Sequence, residues 1–149
     1  MIILTLPKNE KQLRKKSAPV DADLILSSEY QKFFDALAQT MSQVDGIGLA
    51  APQVDKPIRV IAVNIENQAH IFINPKITKK SFLKDTAEEG CLSVPGRYGQ
   101  VKRHKKITLE YLDRKNKTHK QKFTKLPARI IQHEIDHLDG ILFIDKMIK

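Results

Sequence analysis

A chain of 149 residues with 41% apolar and 29% charged side chains can bury one core but not two, and its composition excludes a disordered tail or a collagen-like repeat. No apolar run approaches the roughly 20 residues of a membrane-crossing helix. Residues 1–7 lack the basic start and small-residue end of a secretory leader, and one Cys closes no internal disulfide, so a reducing compartment is expected. The net charge of +9 is uneven: residues 76–129 hold 16 Lys+Arg against 5 Asp+Glu, and the rest of the chain 10 against 12. Such a block is either a solvated basic face or a surface that meets a polyanion such as RNA or an acidic partner. No aromatic-basic RNA motif accompanies it.

In chain order, the first clear helix covers residues 28–44. Ser28 and Gln31 fit a capping box, Tyr30, Phe33, Phe34, Leu37, Met41 and Val44 form one stripe, and Gly46 is the stop. Residues 58–65 read as a buried strand, and residues 69–73 pair back across Glu66-Asn67-Gln68 until Pro75 ends them. Ile107, Leu109 and Tyr111 alternate with polar residues, residues 113–117 turn, and 118–123 return. A last helix begins near Pro127 and ends before Gly140. The pattern predicts one α+β domain over residues 1–149, with antiparallel sheet packed on the last helix and a helix near the N-terminus.

That last helix carries HEIDH at residues 133–137. Residues four apart share a helix face, so His133 and His137 can meet one metal ion with Glu134 beside them as general base. Ile130 shares that face, whereas Ile131, Ile135 and Leu138 point to the core. The plain alternative is a pair of exposed histidines. A catalytic metal normally has a third protein ligand. The downstream metzincin position is Phe143, which cannot ligate, and Asp139 and Asp145 are the only carboxylates after His137. The third ligand is therefore sought upstream, among His70, His104, His119, Cys91 and several acidic residues. Cys91 is the best of these, because a thiolate binds zinc or iron well and the neighbouring Gly90 permits close approach. A small buried hydrophobe remains the usual fate of a free Cys. Residues 46–53, GIGLAAPQ, imply tight backbone packing and are not a phosphate loop, since the Lys-Ser/Thr pair is missing.

Taken together, GIGLAAPQ, EGCLS at residues 89–93 and QHEIDHLDG at residues 132–140 resemble the motifs of the peptide deformylase family, in its order and approximate spacing. The resemblance implies antiparallel β-sheets around a central HExxH helix and removal of the N-formyl group from nascent polypeptides that begin with formylmethionine. It implies Cys91, His133 and His137 as ligands of one divalent metal, typically ferrous iron, with zinc, nickel or cobalt able to occupy the same site. It implies attack of a metal-bound water on the formyl carbon with Glu134 as general acid and base, and Gln53 and the Leu92 N–H as oxyanion donors. For the substrate it implies backbone contacts at Ile47, Gly48 and Gly90, an apolar methionine pocket from Ile47, Leu126, Ile130 and His133, and Glu89 near the rim. The roles of Arg97, Tyr98 and Arg129 stay open. Partners are then formylmethionyl peptides and, should the basic 76–129 block be an RNA-facing surface instead of a solvated one, the ribosome, with no membrane or DNA, in the cytoplasm of a bacterium or of a bacterium hosting a phage. A zinc endopeptidase and a non-catalytic RNA-docking module are the competing readings. The first lacks a downstream ligand, and the second leaves Gln53, Cys91 and HEIDH without a purpose.

Overall fold

The computed structural model describes residues 1–149. Its helices are α1 (Glu10–Leu13), α2 (Ser28–Gln43) and α3 (Lys125–Leu138). Its strands are β1 (Gly48–Ala50), β2 (Val60–Ile65), β3 (Gln68–Lys80), β4 (Lys84–Cys91), β5 (Val94–His104), β6 (Lys106–Leu112) and β7 (Thr118–Thr124). A five-stranded antiparallel sheet runs β1-β2-β3-β6-β7, and β4 and β5 form a separate hairpin.

Both faces of the large sheet are covered. Ile61 and Val63 of β2, Phe72 of β3 and Ile107 and Leu109 of β6 meet Ala128, Ile131, Ile135 and Leu138 of α3. The alternate residues Val60, Ala62, Ile71 and Ile73 meet Phe34, Leu37 and Met41 of α2. Burial on both sides explains why β2 is a continuous apolar run rather than an alternating one. A smaller cluster of Leu13, Val94, Val101, Leu142 and Phe143 ties the hairpin to both ends of the chain. The helix α3 therefore lies between the sheet and the hairpin, the central place that the family resemblance implies for it.

Several boundaries differ from expectation. Ser27, not Ser28, caps α2: its Oγ accepts from the Tyr30 N–H at 3.3 Å. Gln31 makes no capping box and instead donates to the carbonyls of Ile25 and Arg114, each at 2.8 Å. The left-handed residue after the helix is Asp45 (φ 53°), and the Gly46 N–H then closes onto the Met41 carbonyl at 2.9 Å. Val44, placed on the buried stripe, is exposed. Pro75 does not end β3. A register shift between Ile73 and Lys76 leaves the proline outside the ladder. Asn74 (φ 50°) anchors that irregularity by bonding both the N–H and the carbonyl of Val20. The β4–β5 hairpin was not foreseen at all.

Candidate active site

The functional side chains come from three elements that converge beneath the hairpin turn. Cys91 ends β4, Gln53 sits in a 3₁₀ turn after β1, and His133, Glu134 and His137 lie on α3. Gln132 fixes the height of α3 against β5, exchanging hydrogen bonds with the N–H (3.0 Å) and carbonyl (2.8 Å) of His104.

One ligand atom from each of Cys91, His133 and His137 lies within 4.8 Å of the others. The Cys91 Sγ is 3.2 Å from His137 Nε2. His133 donates through Nδ1 to Glu89 Oε1 at 2.9 Å, which turns its Nε2 toward the same point. The other candidate ligands are elsewhere. His70 stacks on Phe72, His104 bonds the Ser81 carbonyl, and His119 pairs with Asp113. A sulfur and two ring nitrogens suit zinc or ferrous iron, so the residues present fit a divalent cation.

Electrostatics supports that fit. Burial works against a charged His133, but hydrogen bonds to Cys91 and Glu89 outweigh it and raise the imidazolium to about 10. The groups that favour a proton there would favour a cation equally. His137 is held well below the usual histidine range, first by burial and then by the positive charges of His133 and Arg103, so it presents a neutral ring. Burial raises the Glu134 carboxyl to about 7, and its Oε2 is enclosed with no hydrogen-bond partner. An unpartnered carboxylate oxygen in this position is ready to take a proton near neutral pH.

Gln53 is only 2% exposed. Its Oε1 accepts from the Ala50 N–H at 2.8 Å, which aims its amide Nε2 at Ser93 Oγ (3.0 Å) and Cys91 Sγ (3.6 Å). A cavity of about 570 Å³ opens above these groups. Ile47, Gly48, Gly90, Leu92, Leu126 and Ile130 all line it, together with Glu89, Gln53, Cys91, His133 and Glu134. Ile47 and Leu126 are more than half exposed, so the apolar mouth is open to solvent. The structure thus brings every site residue expected from the sequence to this cavity except His137, which is buried directly behind it.

Glu89 has more to do than stand at a rim. Arg103 grips both of its oxygens at 2.9 and 2.8 Å, Arg129 bonds Oε2 at 2.6 Å, and Oε1 also receives His133. Arg103 continues to Asp136 at 2.6 Å, and Lys146 meets Asp136 at 3.0 Å. Arg129, left open above, neither caps the cavity freely nor reaches for solvent, since Asp85 takes its other nitrogen at 2.8 Å. Ser93, Arg103 and Asp136 are the residues the sequence reading missed. The one available signal was spacing: Val101 and Arg103 are two apart on β5, so a buried valine places the arginine on the same inward face.

The family profile described as polypeptide deformylase matches residues 1–149. The chain belongs to the polypeptide deformylase family. Members of that family are metal-dependent hydrolases that deformylate nascent peptides, and this chain is a hydrolase of that kind. A curated peptide deformylase of Stenotrophomonas maltophilia is 42% identical over 146 residues, covering 96% of this chain and 84% of the relative. The Met-Ala-Ser-bound crystal structure of a class I type b peptide deformylase from Acinetobacter baumannii superposes with a TM-score of 0.93 at 36% identity, covering 99% of this chain and 98% of that one. A probable peptide deformylase from Synechococcus phage S-SSM7 gives 0.88 at 43% identity, covering 99% of each chain.

In this deformylase-family cavity Gly48 has no room for a side chain. A Cβ there would stand 2.5 Å from Glu134 Oε1 and 2.8 Å from Ile130 Cγ2. Gly48→Ala should displace the Glu134 carboxylate and lower kcat/KM by roughly 10²-fold. Melting should fall only by the few degrees that about 1–3 kcal/mol of overpacking implies. Steady-state kinetics beside a thermal melt checks this, and unchanged kinetics would show that Glu134 tolerates the shift.

Proposed function

We propose that the chain hydrolyses the formyl group of N-formylmethionyl nascent peptides at the Cys91-His133-His137 cluster. The observation that carries this reading is the convergence of these three ligands under a cavity also lined by Glu134 and Gln53. A divalent cation held by the three, ferrous iron natively in this reading and replaceable by zinc, nickel or cobalt, supplies Lewis-acid activation of water and of the formyl oxygen. Glu134 accepts the proton of the attacking water and delivers it to the departing amine, releasing formate. The Gln53 amide and the Leu92 N–H donate to the oxygen on which negative charge develops, a contribution worth about 3–4 kcal/mol per donor.

The peptide lies as an added strand beside the backbone of Ile47, Gly48 and Gly90. Its methionine side chain enters between Ile47, Leu126 and Ile130 and along the ring of His133. Glu89 closes that wall while keeping His133 aimed. The basic 76–129 surface then faces the ribosome on which these substrates arise. The bacterial and phage sources of the relatives support a bacterial cytoplasm as the place of action.

Anaerobic purification followed by elemental analysis and a formyl-Met-Ala-Ser assay tests the reading. We expect about one metal per chain, release of formate, loss of activity with a chelator, and recovery on adding ferrous ion. Full activity in chain stripped of metal would overturn it.

A further inference from the structure

The basic block resolves into two kinds of cation. Of its four arginines, Arg103, Arg114 and Arg129 are spoken for by Glu89, Asp136, Asp35 and Asp85, and Arg97 makes no ion pair. The twelve lysines between residues 76 and 125 make no ion pair, and the only paired lysines of the chain are Lys56 and Lys146. Four of the twelve are arranged by the sheet itself. Lys76, Glu110 and Lys120 are cross-strand neighbours on β3, β6 and β7, and Lys79, Thr108 and Lys122 form the next row. Directly paired residues point to one face. Ile107, Leu109 and Phe123 take the opposite face into the α3 core, so these rows lie on the side of the sheet where α2 packs farther along; Thr108 is itself buried there, but all four lysines are exposed. Glu110 is the one acid among them.

Just beyond the end of β3, in the turn to β4, stands an aromatic side chain with nothing covering it. Phe82 is 97% exposed and Leu83 is 63% exposed, in the turn between β3 and β4. The turn is firmly held. Ser81 Oγ donates to the Leu83 carbonyl at 2.7 Å and accepts from the Lys106 N–H at 3.1 Å. The Ser81 N–H bonds the Lys106 carbonyl at 2.9 Å, and the Lys105 N–H bonds the Leu83 carbonyl at 3.1 Å. His104 Nδ1 meets the Ser81 carbonyl at 2.7 Å. Phe82 is therefore fixed outward by the backbone around it, among the exposed Lys80, Lys84, Lys105 and Lys106.

We infer that the Phe82 turn and the lysine rows of β3 and β7 form a docking face for single-stranded RNA on the ribosome surface. A fixed aromatic ring stacks on an unpaired base whatever its identity, and lysines spaced along a rigid sheet neutralise successive phosphates. An anionic bilayer would engage the two apolar side chains and the nearest lysines but leave the rows behind them unused. The inference rests on the reading that the substrate is a nascent chain, and it names the residues that bring the enzyme to it. Seven residues of β4 separate the turn from Cys91, about 23 Å of strand, so docking at Phe82 leaves the cavity open.

The test uses the full chain, a fluorescent 12-nucleotide single-stranded RNA, pelleted ribosomes and phosphatidylserine vesicles over a salt series. Wild type should bind RNA and ribosomes, more weakly as salt rises. Phe82→Ala should weaken binding by about 5- to 100-fold, with the slope of log affinity against log salt unchanged. Lys79→Glu with Lys122→Glu should flatten that slope by roughly 1.4 or more. Both variants should turn over formyl-Met-Ala-Ser as wild type does. Equal RNA binding by Phe82→Ala, or vesicles bound in preference to RNA, would overturn the inference. So would absent RNA binding at low salt with normal turnover, which leaves the deformylase reading intact. Loss of turnover in wild type itself would instead count against that reading.

Discussion

Glu134→Ala should lower kcat/KM for a formyl-methionyl peptide by roughly 10²–10⁴ while the chain keeps its full complement of metal and its fold. The reason for the loss is that no other acid or base can take over. Glu89, the other carboxylate in contact with the ligand set, is committed through both oxygens to Arg103, Arg129 and His133. Metal should remain because the ligand set of Cys91, His133 and His137 does not include Glu134. Stability should remain or rise. The native carboxyl is buried, its Oε2 has no partner, and burial pushes it up to about 7, so the fold bears a desolvation cost that alanine removes. That gain offsets the small void left beside Gly48. Kinetics, elemental analysis and a thermal melt on the same preparation check all three parts. Metal lost along with activity would make Glu134 a ligand or a structural support instead of a proton carrier.

The site was more legible in the sequence than the fold around it. HEIDH states its own geometry, because a helix puts His133 and His137 on one side. Cys91 and Gln53 were harder, since nothing in their spacing from residue 133 fixes where they lie, and motif resemblance was needed to join them. The groups that hold the ligands in place were hidden for a different reason. Arg103 enters the sequence reading only as one cation of the 76–129 block, and a count cannot tell an exposed cation from one 3% exposed and gripped by two acids; Arg129 could be placed near the pocket but not given its partner. The β4–β5 hairpin escaped because KDTAEEGC has neither an apolar alternation nor β-branched enrichment. Its strand character comes from pairing with β5 over nearly its whole length, a partner that lies beyond any local window. Pro75 misled for the opposite reason, since local chemistry pointed to a stop that a register shift avoided.

The second large effect is expected at Arg103, which stands behind Glu89 and does not itself line the cavity. Arg103→Gln should destabilise the chain by about 3–5 kcal/mol, because it strands buried acids without their shared cation. Arg129 still holds Glu89, and Lys146 still meets both oxygens of Asp136, which favours the lower end of that range. For a chain of this size the lower end is a drop in Tm of about 6–12 °C. Removing Arg103 also frees Glu89 to turn, and Glu89 is what orients the His133 ring. Metal affinity should therefore fall by roughly 10- to 100-fold, as for other losses of a ligand's supporting partner. These parts separate by experiment. A competition titration with a chelating dye reads metal affinity at a temperature where the variant is still folded, and a melt in excess chelator reads the fold alone. If the melt drops but metal affinity holds, Arg103 supports packing between α3 and β5 and nothing more. If Arg103→Lys restores the melt but not the affinity, the two-pronged grip on Glu89 is what sets the imidazole, since an ammonium supplies charge without the planar fork.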